Sequence, residues 1–230
     1  MKIRSLFLLL LFLLAGCTFL TASGSADAAG SRAGTMAAVL EKTEVFPADA
    51  VAIARRFGRI NTDPLPVPEH PVWQLGMERA FWVIHSGLQQ TLQAEAVLVY
   101  LGENVACWVE KESADRLPDG FFSELERFDQ EIYPFLRRIF GSEMSPGVDN
   151  DPLIHVLFSG KAGAGILGYF SSRDAESTEV SPFSNEMDLF ILNTVLLEGD
   201  IRHITNTLSH EYQHMIHFAH DRNETSVVDE

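Results

Sequence analysis

Residues 200–220 read DIRHITNTLSHEYQHMIHFAH, and within them His210, Glu211 and His214 spell H-E-x-x-H. On a helix, side chains four apart lie one above the other on the same face. Two imidazoles at 210 and 214 therefore offer neutral ring nitrogens to one Zn²⁺, at about 2.0–2.1 Å. Glu211 lies roughly 100° round the helix, beside the metal rather than on it. From there a carboxylate takes a proton from a zinc-bound water and passes it to a leaving amine. The two faces of the stretch predict the helix. Stepping about 100° per residue from His210, the side chains of His203, His214 and His217 fall on the same side. Ile201, Ile204, Leu208, Tyr212, Met215 and Ala219 fall opposite. Asp200, after Gly199, is the expected N-cap, its carboxylate accepting from the first free backbone N–H groups. Such a helix packs its apolar back on a core and turns its histidines to a cleft.

A catalytic zinc site offers three protein ligands and one open position. Two residues are candidates for the third ligand. His220 stands at the last position of H-E-x-x-H-x-x-G-x-x-H, but His217 occupies the place of its turning glycine. With the helix continuing, His220 points about 80° away from the metal face. Glu230, sixteen residues past His214, has the spacing of a carboxylate brought back by a second helix.

Working back from the motif, residues 188–193 (DLFILN) read as a strand, expected to receive substrate as an added β-strand. Residues 153–158 read as another strand. Between them Gly163, Gly165 and Gly168 match G-x-G-x-x-G, a fingerprint that should open a helix aimed at a pyrophosphate. Tyr169-Phe170-Ser171-Ser172 and a polar loop follow instead, and Gly160-Lys161-Ala162 lacks the Ser or Thr of a phosphate loop. The glycines are read as letting the backbone pass close to the cleft. Asp149 and Asp151 have carboxylates for a cation such as Ca²⁺ but lack an EF-hand glutamate, and are read as part of a turn.

Residues 120–140 form an amphipathic helix on Leu125, Phe128, Ile132, Leu136 and Ile139, kinked by Pro134 and ended by Gly141. Before it come strands at 81–85, 94–100 and 105–110, the last two a hairpin across Gly102-Glu103-Asn104. A proline-broken stretch precedes these, with a short helix near 49–57. His70 and His85 have no partner at ligand spacing and are read as structural or surface histidines.

At the amino end, Lys2 and Arg4 precede a ten-residue apolar run at 6–15, too short to span a bilayer. Leu14-Ala15-Gly16-Cys17 resembles a bacterial lipobox. Residues 1–16 are thus expected to be a lipoprotein signal peptide, with Cys17 lipid-modified. Residues 17–40 then form a Gly/Ser/Ala-rich tether. With Cys17 lipidated, only Cys107 remains, so no intramolecular disulfide forms, and Cys107 reads as a small buried hydrophobe. The chain is 46% hydrophobic with a formal charge of −15. That charge argues against nucleic-acid binding, which needs a basic footprint. The expected location is extracytoplasmic, in a bacterial cell envelope, with contact to the membrane through the lipid on Cys17.

Residues 208–217 (LSHEYQHMIH) resemble the active-site segment of the hyicolysin-type neutral zinc metallopeptidases, members of the gluzincin group. Residues 145–152 (SPGVDNDP), 168–172 (GYFSS) and 184–186 (SNE) are similar to segments of the same family. The resemblance runs from about Phe121 to the end. It implies an α+β fold: a β-rich region at 45–118, then at 119–230 a zincin-like lobe whose mixed β-sheet packs on the active-site helix. It also implies Zn²⁺ held by His210, His214 and Glu230, with Glu211 as general base and Asp229 where the family has Asn. The family's later helical lobe would fall beyond Glu230, so the lobe is expected to be incomplete. The expected function is a zinc-dependent metalloendopeptidase acting on a peptide or protein substrate. The alternative is a catalytically inactive surface lipoprotein that binds a partner and keeps a remnant zinc motif.

Overall fold

The strands nearest the motif are apolar at almost every position, and the computed structural model, which describes residues 38, 49–61, 65 and 67–222, shows why. Strands β1 (Glu78–His85), β2 (Gln90–Leu101), β3 (Val105–Glu110), β4 (Ile154–Phe158), β5 (Gly168–Phe170) and β6 (Leu189–Leu192) form one sheet. Their order is β1-β2-β3-β4-β6-β5. The first three run antiparallel, β4 lies parallel to β3, and β6 lies parallel to β4. β5 returns antiparallel along β6 as the outer strand. Every residue of β3, β4 and β6 is buried. Cys107, Val109, Val156, Phe158, Phe190 and Leu192 face the helices. Ala106, Trp108, Leu157, Leu189 and Ile191 face the other way, with Phe81 and Leu98. Strands covered on both faces lose the polar alternation of a half-exposed sheet, hence the unbroken apolar runs. Cys107 is among them, buried and unbridged.

The elements described here all fall in the unit spanning residues 47–230, a mixed α+β arrangement. Helix α1 (Ala50–Arg56) is capped by Asp49, whose carboxylate accepts from the Ala52 N–H at 2.9 Å. A short α2 (Lys111–Ala114) leaves the end of β3. The single helix expected at 120–140 is corrected by the structure. It is α3 (Phe121–Arg127), a wide π turn (Phe128–Ile132) and α4 (Tyr133–Phe140). Pro134 has no N–H to bond the carbonyl four residues back, and the turn just ahead of it widens. The widened turn carries Asp129 fully inward. There its carboxylate accepts from the N–H groups of Glu103 (3.1 Å) and Asn104 (2.7 Å), tying down the β2–β3 turn. Gly141 ends α4 at φ +99°, and a Cβ there would lie 2.6 Å from Nε2 of His220. The glycine lets the ends of two helices meet.

The motif helix is α5 (Arg202–His220). It begins one residue later than expected, with Ile201 rather than Asp200 at the N-cap position. The Asp200 carboxylate nevertheless accepts from the Arg202 N–H at 3.0 Å, and the Arg202 guanidinium closes on the same group at 2.5–3.1 Å. Ile204, Leu208, Tyr212, Met215 and Ile216 are buried against the sheet, while Ile201 and Ala219 sit half-buried at the margins. Tyr212 is fully buried, and its hydroxyl donates to Oε2 of Glu143 at 2.5 Å. Tyr133 of α4 donates to Oε1 of the same carboxylate at 2.8 Å. Thr205 donates to Glu124 of α3. Among the described residues no helix is long and apolar enough to cross a membrane.

Two substitutions test these ties. Tyr212→Phe strips a donor from the buried Glu143 carboxylate and should cost about 1–3 kcal/mol. Asp129→Ala leaves two turn N–H groups without an acceptor and should cost on the order of 3 kcal/mol. Urea unfolding of each variant measures both. Losses under about 0.5 kcal/mol, the range of neutral surface changes, would show that the ties do not hold the fold.

Candidate metal centre

Because α5 is pinned by its apolar back, its phase about its own axis is set, and the histidines come to the opposite side. His203, His210 and His217 are exposed and His214 is half-buried. The Nε2 atoms of His210 and His214 converge to 3.1 Å, with ring centroids 4.6 Å apart and planes at 89°. Two nitrogens bound at 2.0–2.1 Å to a tetrahedral ion would be about 3.4 Å apart, so the pair already has the spacing of a chelate. A cavity of about 420 Å³ opens on this face, lined by His210, His214, His217, His220, Gln213, Ile216 and Phe140.

Glu211 is turned the other way from the solvent, at 5% exposure. Its Oε2 accepts from the N–H of Phe170 on β5 at 2.9 Å. Gly168 makes this approach feasible, since a Cβ there would meet Thr207 Cγ2 of α5 at 3.0 Å and the Ile191 carbonyl oxygen at 3.1 Å. The general base expected from the motif is therefore held beside the outer strand of the sheet. That position corrects one expectation. The segment 188–193 does not offer a free edge, since β6 is paired on both sides; β5 is the outer strand. Nor do Gly163, Gly165 and Gly168 open a helix, because Gly168 begins a strand, so the dinucleotide reading has no support in the geometry.

Of the third-ligand candidates, His220 is drawn against Gly141 and does not join the pair. Glu230 lies outside the described residues, as does Cys17. His85 is structural, its Nδ1 accepting from the N–H groups of Gly87 (3.2 Å) and Leu88 (3.1 Å). The ring of His70 meets the Asn150 carbonyl oxygen at 2.9 Å.

The structure also assembles a group whose third member the sequence reading did not single out. Donor atoms of Asp149, Asp151 and His155 lie within 4.8 Å of one another. Trp108 Nε1 lies 3.0 Å from His155 Nδ1, and an indole nitrogen only donates. His155 therefore carries its proton on Nε2 and gives it to Oδ2 of Asp151 at 3.2 Å. Burial holds the imidazole below its ordinary pKa, against the pull of Asp151. Burial also opposes charge on Asp151, but donors from His155, Trp73 and Leu153 outweigh it and leave that pKa below the usual value. Burial pushes Asp149 up to about 7 and Asp188 to about 8, the latter helped by repulsion from Asp149, Glu143 and Asp151. His155 sits at an inward position of an apolar strand, so only the fold revealed its company.

No family model matches the chain. The chain is similar to the neutral metalloprotease ShpI of Staphylococcus hyicus, 28% identical over 151 residues that make up 60% of this chain and 33% of that protein. It thus spans about a third of that relative's length. The likeness supports a relationship to a metalloprotease, and together with a candidate donor group it points to a metal ion.

Proposed function

We propose that the chain is the zincin-like catalytic lobe of a zinc-dependent endopeptidase. The observation that carries the reading is the convergence of two imidazole Nε2 atoms to 3.1 Å on the solvent side of a helix whose intervening carboxylate is held at the sheet edge. His210 and His214 fit zinc by donor type and spacing, and Glu230 is proposed as the third ligand. A zinc ion held there supplies Lewis acidity, polarising a carbonyl and making water a stronger acid.

The chain's own residues do the rest. Glu211 accepts the proton of the attacking water and returns it to the departing amine. Its second oxygen, Oε2, is held by the Phe170 N–H, which keeps the carboxylate oriented through both transfers. β5, with no strand on its far side among the described residues, receives an extended peptide alongside the helix. The substrate is taken to be a peptide or protein, and the location a bacterial envelope, with lipid on Cys17.

The purified chain should take up close to one Zn²⁺ at the histidine pair, and His210→Ala or His214→Ala should weaken zinc binding by a factor of 100 or more, on the order of the 2.7 kcal/mol such a loss represents. Glu211→Gln should keep the zinc and lower casein hydrolysis by about 10²–10⁴. Zinc content by mass spectrometry and casein turnover with and without 1,10-phenanthroline read both; unchanged turnover in Glu211→Gln would discard the mechanism. In cells, palmitate labelling should be present in the full chain and absent from Cys17→Ser.

A further inference from the structure

We propose that a cavity beyond the end of β5, lined by Arg59, Arg173 and Arg222, holds an acidic side chain of the peptide that β5 receives. This rests on the endopeptidase reading above and adds to it a preference for Asp or Glu two or three residues from the bond to be cut. The cavity, of about 700 Å³, opens between α1, the short helical turn at Ser172–Ala175 and the end of α5. Its place follows from the run of β5. Gly168 lies against Thr207 and Phe170 bonds Glu211, so the strand advances in the same direction as the helix. Further along, the Phe170 ring meets Phe218 of α5, with centroids 5.8 Å apart, and Ser172 and Arg173 join Phe218 in the cavity wall. Ser172 is two residues past the N–H that holds Glu211, about 7 Å in extended chain. A peptide laid along β5 and cut beside Glu211 therefore brings its second or third residue from the cut to this opening.

The walls are apolar in surface and basic in charge. Ile53 and Phe57 of α1, 53% and 76% exposed, and Phe218 of α5 offer carbon surface. Three guanidiniums stand there against one carboxylate, that of Glu176. Over the whole chain Asp and Glu outnumber Lys and Arg by 32 to 17, so the ratio is reversed at this cavity. An acidic peptide is repelled by the chain at large and drawn here.

Arg173 has the geometry to grip a carboxylate. Its Nη1 donates to Oγ1 of Thr91 at 3.3 Å, while Nε and Nη2 are buried and have no hydrogen-bond partner. Oδ1 of Asp174 is 4.0 Å from Nε, too far to bond, and already accepts from the backbone and side-chain N–H groups of Asn185. Nε and Nη2 lie on one edge of the guanidinium, the edge that binds a carboxylate through two parallel N–H···O bonds. Buried donors without an acceptor are costly, and an arriving carboxylate gives both of them one. Arg222 lies over the Phe218 ring, 5.4 Å from its centroid, and donates to Sδ of Met144, a weak acceptor readily exchanged for an oxygen.

The probes are dye-labelled octapeptides of one apolar sequence, amidated at the carboxyl end, with Glu or Gln at each position in turn. Fluorescence anisotropy on the full-length, zinc-loaded Glu211→Gln chain reads binding without turnover. At one position Glu should bind at least about 10-fold tighter than Gln, and about 0.5 M NaCl should shrink that ratio. On the wild type the same position should favour Glu in kcat/KM, with the difference in KM. Arg173→Gln should bring the binding ratio to about 2 or less, and Arg173→Lys should not restore it, because an ammonium has no fork. Arg59→Gln and Arg222→Gln, both at exposed positions, should each lower the ratio by about 3-fold. Peptides bound with this ratio but never cut by the wild type would sink the endopeptidase reading and leave the acidic preference of the cavity standing. Equal binding of Glu and Gln at every position, or a ratio that survives in all the Arg→Gln variants, overturns the proposal.

Discussion

Everything at the histidine face depends on one helix being unable to turn about its own axis. Tyr212 lies between the two histidines in sequence, and its ring is enclosed by Phe128, Tyr133 and Phe190 at centroid distances of 6.5, 5.1 and 6.4 Å. Its hydroxyl is bound to Glu143. Residues 210 and 214 are each two positions from this anchor, so fixing Tyr212 fixes where both imidazoles point. A rotation of one residue's worth, about 100°, would carry the pair out of solvent. Leu208 and Met215, one turn to either side, lock the same phase through burial.

The same constraint reaches the outer strand. Helix α5 and β5 approach closely because Gly168 has no side chain to hold them apart. The short distance lets the carboxylate of Glu211 reach a backbone N–H on the strand instead of pointing into water. A buried carboxylate bonded to a strand N–H keeps a fixed orientation. The packing that holds the helix also positions that carboxylate.

Much of the architecture was legible in the residues. The strands read at 81–85, 94–100 and 105–110 lie within those the structure forms at 78–85, 90–101 and 105–110, and the turn at Gly102 follows its composition. The burial of Ile204, Leu208, Tyr212 and Met215 follows from their helical spacing. The helix at 120–140 was legible in extent but not in form. Pro134 announced a defect, yet the π turn and the inward aim of Asp129 depend on the β2–β3 turn lying within reach. The strand at 188–193 was recognised as a strand, but nothing in DLFILN says whether its neighbours lie on one side or two.

The motif spacing by itself determined that two imidazoles would share a face, because any helix repeats every 3.6 residues and positions four apart must stack. It also determined which side of that helix would be buried, because apolar side chains recur with the same period. Only the tertiary structure decided that Glu211 would meet Phe170, that His155 would spend both nitrogens on Trp108 and Asp151, and that Arg173 and Phe218 would line one cavity. Each of these pairs unites chain segments with no shared period. Local sequence encodes local geometry, whereas contacts between distant segments follow from which strands pair and in what register, and that is settled by packing the whole core at once.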